Sequence, residues 1–253
     1  MGLFDRFKGA EKRGVGDRRP SNIPSSSPAA KWAEKAGDKR AQNFDRQEAI
    51  AKLAEMGTAD AASALLKRFL FNMDPSITDQ EEKDLAYSGV VYAGKEAIEP
   101  VRAFAEKAES LAWPMRILKD LLDETAFVEE LLLWLSRWDT EYRKFIDPKI
   151  QILTALEEHR HLGIREAVAP FLLDVNEPAR FHAVVTTLAQ DDEAAVPALV
   201  DALLEEESFR VKTKTAEGLA ARGWPLPEEK REAVRRKLPP GFSVDAEGRV
   251  KKR

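Results

Sequence analysis

Two copies of one unit follow each other in EAVAPFLLD (166–174), VNEP (175–178), ARFHAVVTTLAQ (179–190), EAAVPALVDALLEEES (193–208) and FRVKTKTAEGLAARG (209–223). Each copy reads as a helix, a tight turn and a second helix. Val196, Leu199, Val200, Leu203 and Leu204 fall at i, i+3, i+4, i+7 and i+8, one stripe of an α-helix. Phe181, Val184, Val185 and Leu188 repeat the stripe in the helix before. A helix pair with one apolar face on each helix cannot bury itself, whereas stacked pairs can. The expected fold class is therefore all-α, built from repeated helix pairs.

The string Glu-Ala-x-x-Pro occurs at Glu96–Pro100, Glu166–Pro170 and Glu193–Pro197. Proline has no amide proton, which suits the first turn of a helix, so a helix is expected to follow each copy. A basic residue stands near the start of the second helices: Arg116, Arg180, and Arg210 or Lys212. Here the chain resembles the HEAT-repeat family, in its short bacterial form. That family's second helix has a Val-Arg-x-x-Ala-Ala-x-x-Leu character, matched by Val211, Lys212, Thr215, Ala216 and Leu219. The resemblance covers residues 160–223 best and extends back to about residue 44.

The resemblance implies a right-handed α-solenoid of five to six HEAT-like pairs, armadillo-like in format. It also implies a non-enzymatic scaffold that binds a partner protein on its concave face. In such arrays the second helices line that face. They would begin here near Thr78, Pro114, Pro148, Pro178 and Ser208. At 100° per residue Arg180 lies about 90° from the centre of its apolar stripe, and Thr186 lies on the far side. Arg116, Arg180, Arg210 and Lys212 are thus the candidate contacts, suited to an acidic or C-terminal segment of a partner. The competing reading pairs each arginine with a carboxylate of the neighbouring repeat, such as Asp174, Glu177 or Glu207.

Composition narrows the function classes. The chain has 253 residues and no cysteine, so disulfides, thiol catalysis and thiolate metal sites are absent. The longest unbroken apolar run is Leu131–Leu135, far short of the roughly 20 residues a membrane helix needs. MGLFDRFKG has neither a long apolar core nor a small-residue cleavage site, so it does not read as a secretory signal. A cytoplasmic protein is expected. Residues 1–43 carry 10 Lys and Arg against 5 Asp and Glu, a net +5, within a chain of net −4. The remainder is acidic, which opposes a nucleic-acid groove.

Three segments follow. Residues 1–43 read as a flexible basic segment rich in Gly, Pro and Ser, with a short helix around 29–36. Within it, residues 2–8 place Leu3, Phe4 and Phe7 on a small amphipathic face, the one stretch suited to docking or weak membrane contact. Residues 44–238 read as the array, closed by a polar helix over Glu228–Leu238. Residues 239–253 read as a tail or a small hairpin. Inside the array, Thr78 and Glu81 form a capping-box pattern. Phe127, Leu131, Trp134 and Trp138 fall on one face of a helix buried on two sides.

The candidate chemistry is thin. His159 and His161, with Glu157, Glu158 and His182, could suggest a metal. Alternate residues on a helix point about 200° apart, so the two histidines do not share a face, and no metal is expected. HEAT-like di-iron hydroxylases use His-Glu dipeptides, and this chain has none. The repeat format also fits the HEAT-like subunits of bilin lyases, but no residue singles them out. HEAT-like DNA glycosylases acting on alkylated bases line a basic groove with Trp, Arg and Asp. Trp134, Arg137, Trp138 and Asp139, with Trp113, could supply those residue types and form the alternative function. No glycine-rich phosphate loop or nucleotide fingerprint is present, so no cofactor is expected.

Overall fold

Glycines and prolines punctuate this chain at intervals of one helix, and the helices form between them. The structure, a computed structural model, describes residues 23–253; the amphipathic face expected at residues 2–8 lies outside that range. The described residues are all-α apart from one hairpin. In the first unit, which ends at Phe127, the helices are α1 (Ala30–Gly37), α2 (Asn43–Ala54), α3 (Ala59–Leu66), α4 (Ser76–Tyr92), α5 (Ile98–Ala105) and α6 (Ala112–Leu121). Helix α7 (Glu124–Leu135) carries the boundary at Phe127–Val128. The second unit continues with α8 (Asp147–Leu156), α9 (Leu162–Val168), α10 (Glu177–Ala189), α11 (Val196–Glu205), α12 (Phe209–Arg222) and α13 (Arg231–Lys237). A hairpin of β1 (Phe242–Val244) and β2 (Val250–Lys252) follows, antiparallel, with Ser243 opposite Lys251.

Packing follows repeat order inside each unit. First helices meet first helices: α1 on α3, α3 on α5. Second helices meet second helices: α2 on α4 and α4 on α6, then α8 on α10 and α10 on α12 in the second unit. Ala33, Ala36, Ala49, Ile50, Leu53, Leu65, Leu66, Val90 and Val101 fill the first core. Ile152, Leu153, Leu156, Ile164, Val168, Val184, Leu199, Val200, Leu203 and Leu219 fill the second. Small residues set how close the second helices come. A Cβ on Gly89 of α4 would lie 2.6 Å from the Ala54 backbone, and one on Gly218 of α12 would lie 2.1 Å from Leu188. Gly223 ends α12 in the left-handed region, φ 62, which an L side chain adopts only under strain.

Several local expectations shift. The packed body begins earlier than Phe44, because α1 lies on α2 and α3 and buries Ala33 and Ala36. The capping box at Thr78 and Glu81 does not form; α4 starts at Ser76, two residues earlier, and Asp79 is drawn into an ionic cluster instead. In the Glu166–Pro170 copy no new helix follows the proline. Pro170 sits at the end of α9, where the chain tightens into a 3-10 turn over Ala169–Leu173. The ring displaces the hydrogen bond to the carbonyl four residues back, which favours that tightening. The tail is a hairpin docked on the body, β1 on α13 and β2 on α12. Phe242 and Val250 are buried there.

The first unit is cross-linked by a buried ionic cluster. Arg46 on α2 binds both oxygens of Glu82 on α4, at 2.8 and 3.0 Å, and Arg68 reaches Glu82 at 2.7 Å. Arg68 and Lys83 also hold Asp79, each at 2.7 Å. Burial alone would raise the Asp79 carboxyl, but the hydrogen bonds and charges of Lys83 and Arg68 outweigh it and hold it below its ordinary value. Arg46, Arg68 and Glu82 are essentially solvent-free. Removing one partner of a buried pair leaves an uncompensated charge. Glu82→Gln should therefore lower stability by roughly 3–5 kcal/mol, read as a fall in the urea midpoint. An unchanged midpoint would show that the cluster does not tie α2 to α4.

Candidate functional site

The cations at the start of the second helices lead to the most regular feature of the molecule. Lys149, in the first turn of α8, donates to the Asp139 carbonyl at 2.9 Å and to the Asp174 carboxylate at 2.6 Å. Arg180, in the first turn of α10, donates to the Asp174 carbonyl at 2.8 Å and binds Glu206 with both prongs, at 2.7 and 2.9 Å. Each cation thus joins the turn before its own helix to a carboxylate on the turn before the next second helix. The carboxylate in turn takes the free amides that open that helix: Asp174 from Asn176, Glu206 from Glu207 and Ser208. Arg46 in the first unit shares part of this plan: it reaches the Ala41 carbonyl before its own helix and Glu82, which lies within α4 and takes no backbone amide among the described residues. Burial would raise the Glu206 carboxyl, but Arg180 and the two amides prevail and hold it below its ordinary 4.5.

The four expected contact residues therefore divide. Arg180 belongs to the stack, with a carboxylate of the neighbouring pair as in the competing reading, though Glu206 rather than Asp174 or Glu207 is its partner. Thr186, placed by periodicity on the far side of the helix, is buried, and its single hydroxyl proton lies within reach of the Leu153 carbonyl on α8 and the His182 carbonyl one turn back on α10. Helix α10 is enclosed over a wider arc than its aliphatic stripe implied, because Ala179, Ala183, Thr186 and Thr187 are also covered. Arg116 and Arg210 are about half exposed, at 53% and 54%. Each lies over an aromatic ring of the preceding second helix: Arg116 is 4.3 Å from Tyr87 on α4, and Arg210 is 3.6 Å from Phe181 on α10. Their nearest carboxylates stand off at 3.9 Å (Asp84) and 3.5 Å (Glu177). Lys212 is half-buried on α12.

Arg116 sits in a wider aromatic group in the first unit. Trp113 stacks on Phe69 with centroids 4.6 Å apart, tilts against Tyr87 at 6.1 Å, and lies 5.2 Å from the guanidinium. The Tyr87 hydroxyl donates to Asp120, the main reason its pKa is raised. Sequence reasoning missed Lys149 and Arg46, which hold the stack as Arg180 does. Their signal was present: each is a cation in the first turn after a helix-start string, Asp147-Pro148-Lys149 and Asn43-Phe44-Asp45-Arg46.

Two tryptophans of the alternative function, Trp134 and Trp138, stand in different surroundings. Helix α7 stops at Leu135, so Trp138 leaves the Phe127–Leu131–Trp134 face. Trp134 is buried, at 4%, while Trp138 is half-buried under Arg143 and Lys149. Asp139 takes a 2.6 Å hydrogen bond from Arg143, which holds its carboxyl below the usual value. The histidines serve locally. His161 accepts from the Gly163 amide at the start of α9, and His182 meets Glu157 and Thr154. Among the described residues no group of three His, Cys, Asp or Glu is placed to hold a metal, and no helix is long and apolar enough to cross a membrane. Comparison of the chain with protein-family models, curated proteins and solved structures gave no match.

Two measurements test this layout. Arg180→Gln should lose roughly 3 kcal/mol at neutral pH, since Glu206 is left buried without its cation. The contribution of a carboxyl whose folded pKa is depressed is present above the unfolded value and lost as pH falls through the folded one. The gap between wild type and Arg180→Gln should thus be full with Glu206 ionised in both proteins and shrink as acid protonates it, in thermal melts. A gap that widens on acidification would refute the assignment. For the tryptophans, Trp134→Ala should cost roughly 3–5 kcal/mol as a large-to-small core change. Trp138→Ala should cost about 1–2 kcal/mol, on the scale of a cation–π contact. Equal losses would mean that Trp138 is core after all.

Proposed function

We propose that the chain is a non-enzymatic HEAT-like α-solenoid, a right-handed array of helix pairs that binds a partner protein along its second helices. The array reading is supported by the recurring link from a second-helix cation to the next turn carboxylate, Lys149 to Asp174 and Arg180 to Glu206. The binding reading rests on one observation above others. Arg116 and Arg210 are held in place on aromatic rings while half of each side chain stays in solvent. A guanidinium whose plane is fixed by a ring loses less freedom when its edge meets an acceptor. Each is proposed as a contact for a carboxylate of a partner protein; Lys212, two residues on along α12, points about 200° from Arg210 and adds charge to the helix, not to that contact. Arg180 is left out of the contact set because Glu206 occupies its fork. The cysteine-free composition suits a reducing compartment, and the proposal places the scaffold in the cytoplasm.

The test couples capture with stability. The full chain, immobilised, should retain one stoichiometric partner from an extract of its own cell. Arg116→Gln with Arg210→Gln should release that partner while the melting temperature moves by less than about 2 °C, as exposed pairs contribute little. Retention by the double variant would remove both residues from the contact set. Release of modified base from alkylated DNA by the purified chain would replace the scaffold with the glycosylase alternative.

A further inference from the structure

The second unit separates its charge. Residues 128–227 carry 11 Lys and Arg against 18 Asp and Glu, a net −7. Residues 228–253 carry 9 against 5, a net +4. Inside that last stretch the charges are sorted again. Glu228, Glu229 and Glu232 stand at or before the start of α13, and Arg235, Arg236 and Lys237 fill its last turn. In the hairpin, Asp245 and Glu247 sit at the tip with Arg249, while Lys251, Lys252 and Arg253 form the open end.

The two basic ends meet. Helix α13 packs on β1, and the Arg253 amide donates to the Gly241 carbonyl at 2.8 Å, three residues beyond Leu238. The hairpin's basic open end is thus pinned beside the basic end of the helix. All six side chains are exposed. Arg235 has Glu232 at 3.3 Å, Lys252 has Glu217 at 3.4 Å and Lys251 has Asp245 at 4.0 Å, all solvent-facing contacts of little strength. A helix dipole accounts for cations at the end of α13. It does not account for the cations of β2, which no dipole selects.

We infer that this basic corner of the second unit is an interaction surface for a short run of Asp and Glu in a protein partner. Large exposed apolar side chains are absent from described residues 228–253, so the face has nothing to insert into a bilayer and no ring on which a base could stack. A long polyanion would continue past the patch and meet the acidic part of the same unit, within reach of charges screened over about 8 Å. A run of four to six acidic residues spans roughly 13–22 Å, a length that can end on the patch. Three of the six cations are arginines, whose forks take carboxylates two-pronged. The surface includes neither Arg116 nor Arg210 and stands whether or not those residues bind.

The test uses the full chain and a fluorescein-labelled six-residue polyglutamate, read by anisotropy in low and physiological salt. Saturable binding is expected, with affinity falling as salt rises. Reversing Arg236, Lys237 and Lys251 together (R236E, K237E, K251E) should weaken it about tenfold or more, with an unchanged melting temperature. Lys95→Glu, exposed in the first unit, should leave it within about twofold. If the reversed chain melts lower, the three Gln substitutions should show a smaller loss in the same direction. Absence of saturable binding, or an equal loss in Lys95→Glu, overturns the inference. So does tighter binding of a 20-base-pair duplex or of phosphatidylserine vesicles that depends on the same three residues.

Discussion

A cation in the first turn of a second helix, held between a carbonyl behind it and a carboxylate ahead of it, is the constraint on which the second unit depends. Lys149 and Arg180 are the two instances, and each fixes three things at once. The carbonyl bond sets the turn before the cation's own helix. The carboxylate bond sets the distance to the next pair. The carboxylate's remaining lone pairs accept amides that would otherwise be unpaired at the start of the next helix. Such a group is costly to bury alone and inexpensive when every donor and acceptor is matched. The apolar stripes supply the drive to stack, but they are tolerant of sliding. The ionic links permit one register.

The first unit reaches the same result with more charge. Glu82 receives Arg46 and Arg68, and Asp79 receives Arg68 and Lys83, so α2, α4 and the turn after α3 are joined in one network. Three cations against two carboxylates leave an excess positive charge. Carbonyls of Ala41 and Phe71, and the side chains of Asn43 and Asn72, absorb it as neutral acceptors.

The helices were legible because their punctuation is strong. Gly57, Gly94 and Gly223 all take positive φ at or beside helix ends. The starts near Thr78, Pro114, Pro148, Pro178 and Ser208 all fall within two residues of observed helix starts. Periodicity failed where a residue's type misled about its surroundings. Thr186 reads as polar and outward, yet its hydroxyl proton has two carbonyls within reach, so it can lie buried. Trp138 reads as a fourth member of an apolar face, yet its helix has already ended. The fates of Arg116, Arg180 and Arg210 could not be read from spacing. They depend on whether the neighbouring turn offers a buried carboxylate, as Glu206 does, or the neighbouring helix offers a ring, as Tyr87 and Phe181 do.

Helix α12 is covered by two different kinds of element. Helix α12 has α10 on one side, and β2 also lies against it. The hairpin contributes Val250 and Phe242 to the buried surface and turns Lys251 outward, so the last apolar stripe is sealed under charge. A helix there would have brought an apolar stripe of its own. A two-residue-wide ribbon with Lys and Arg on its outer side offers none. The flank of α12 that carries the ribbon is thereby presented to solvent as charge rather than as apolar surface.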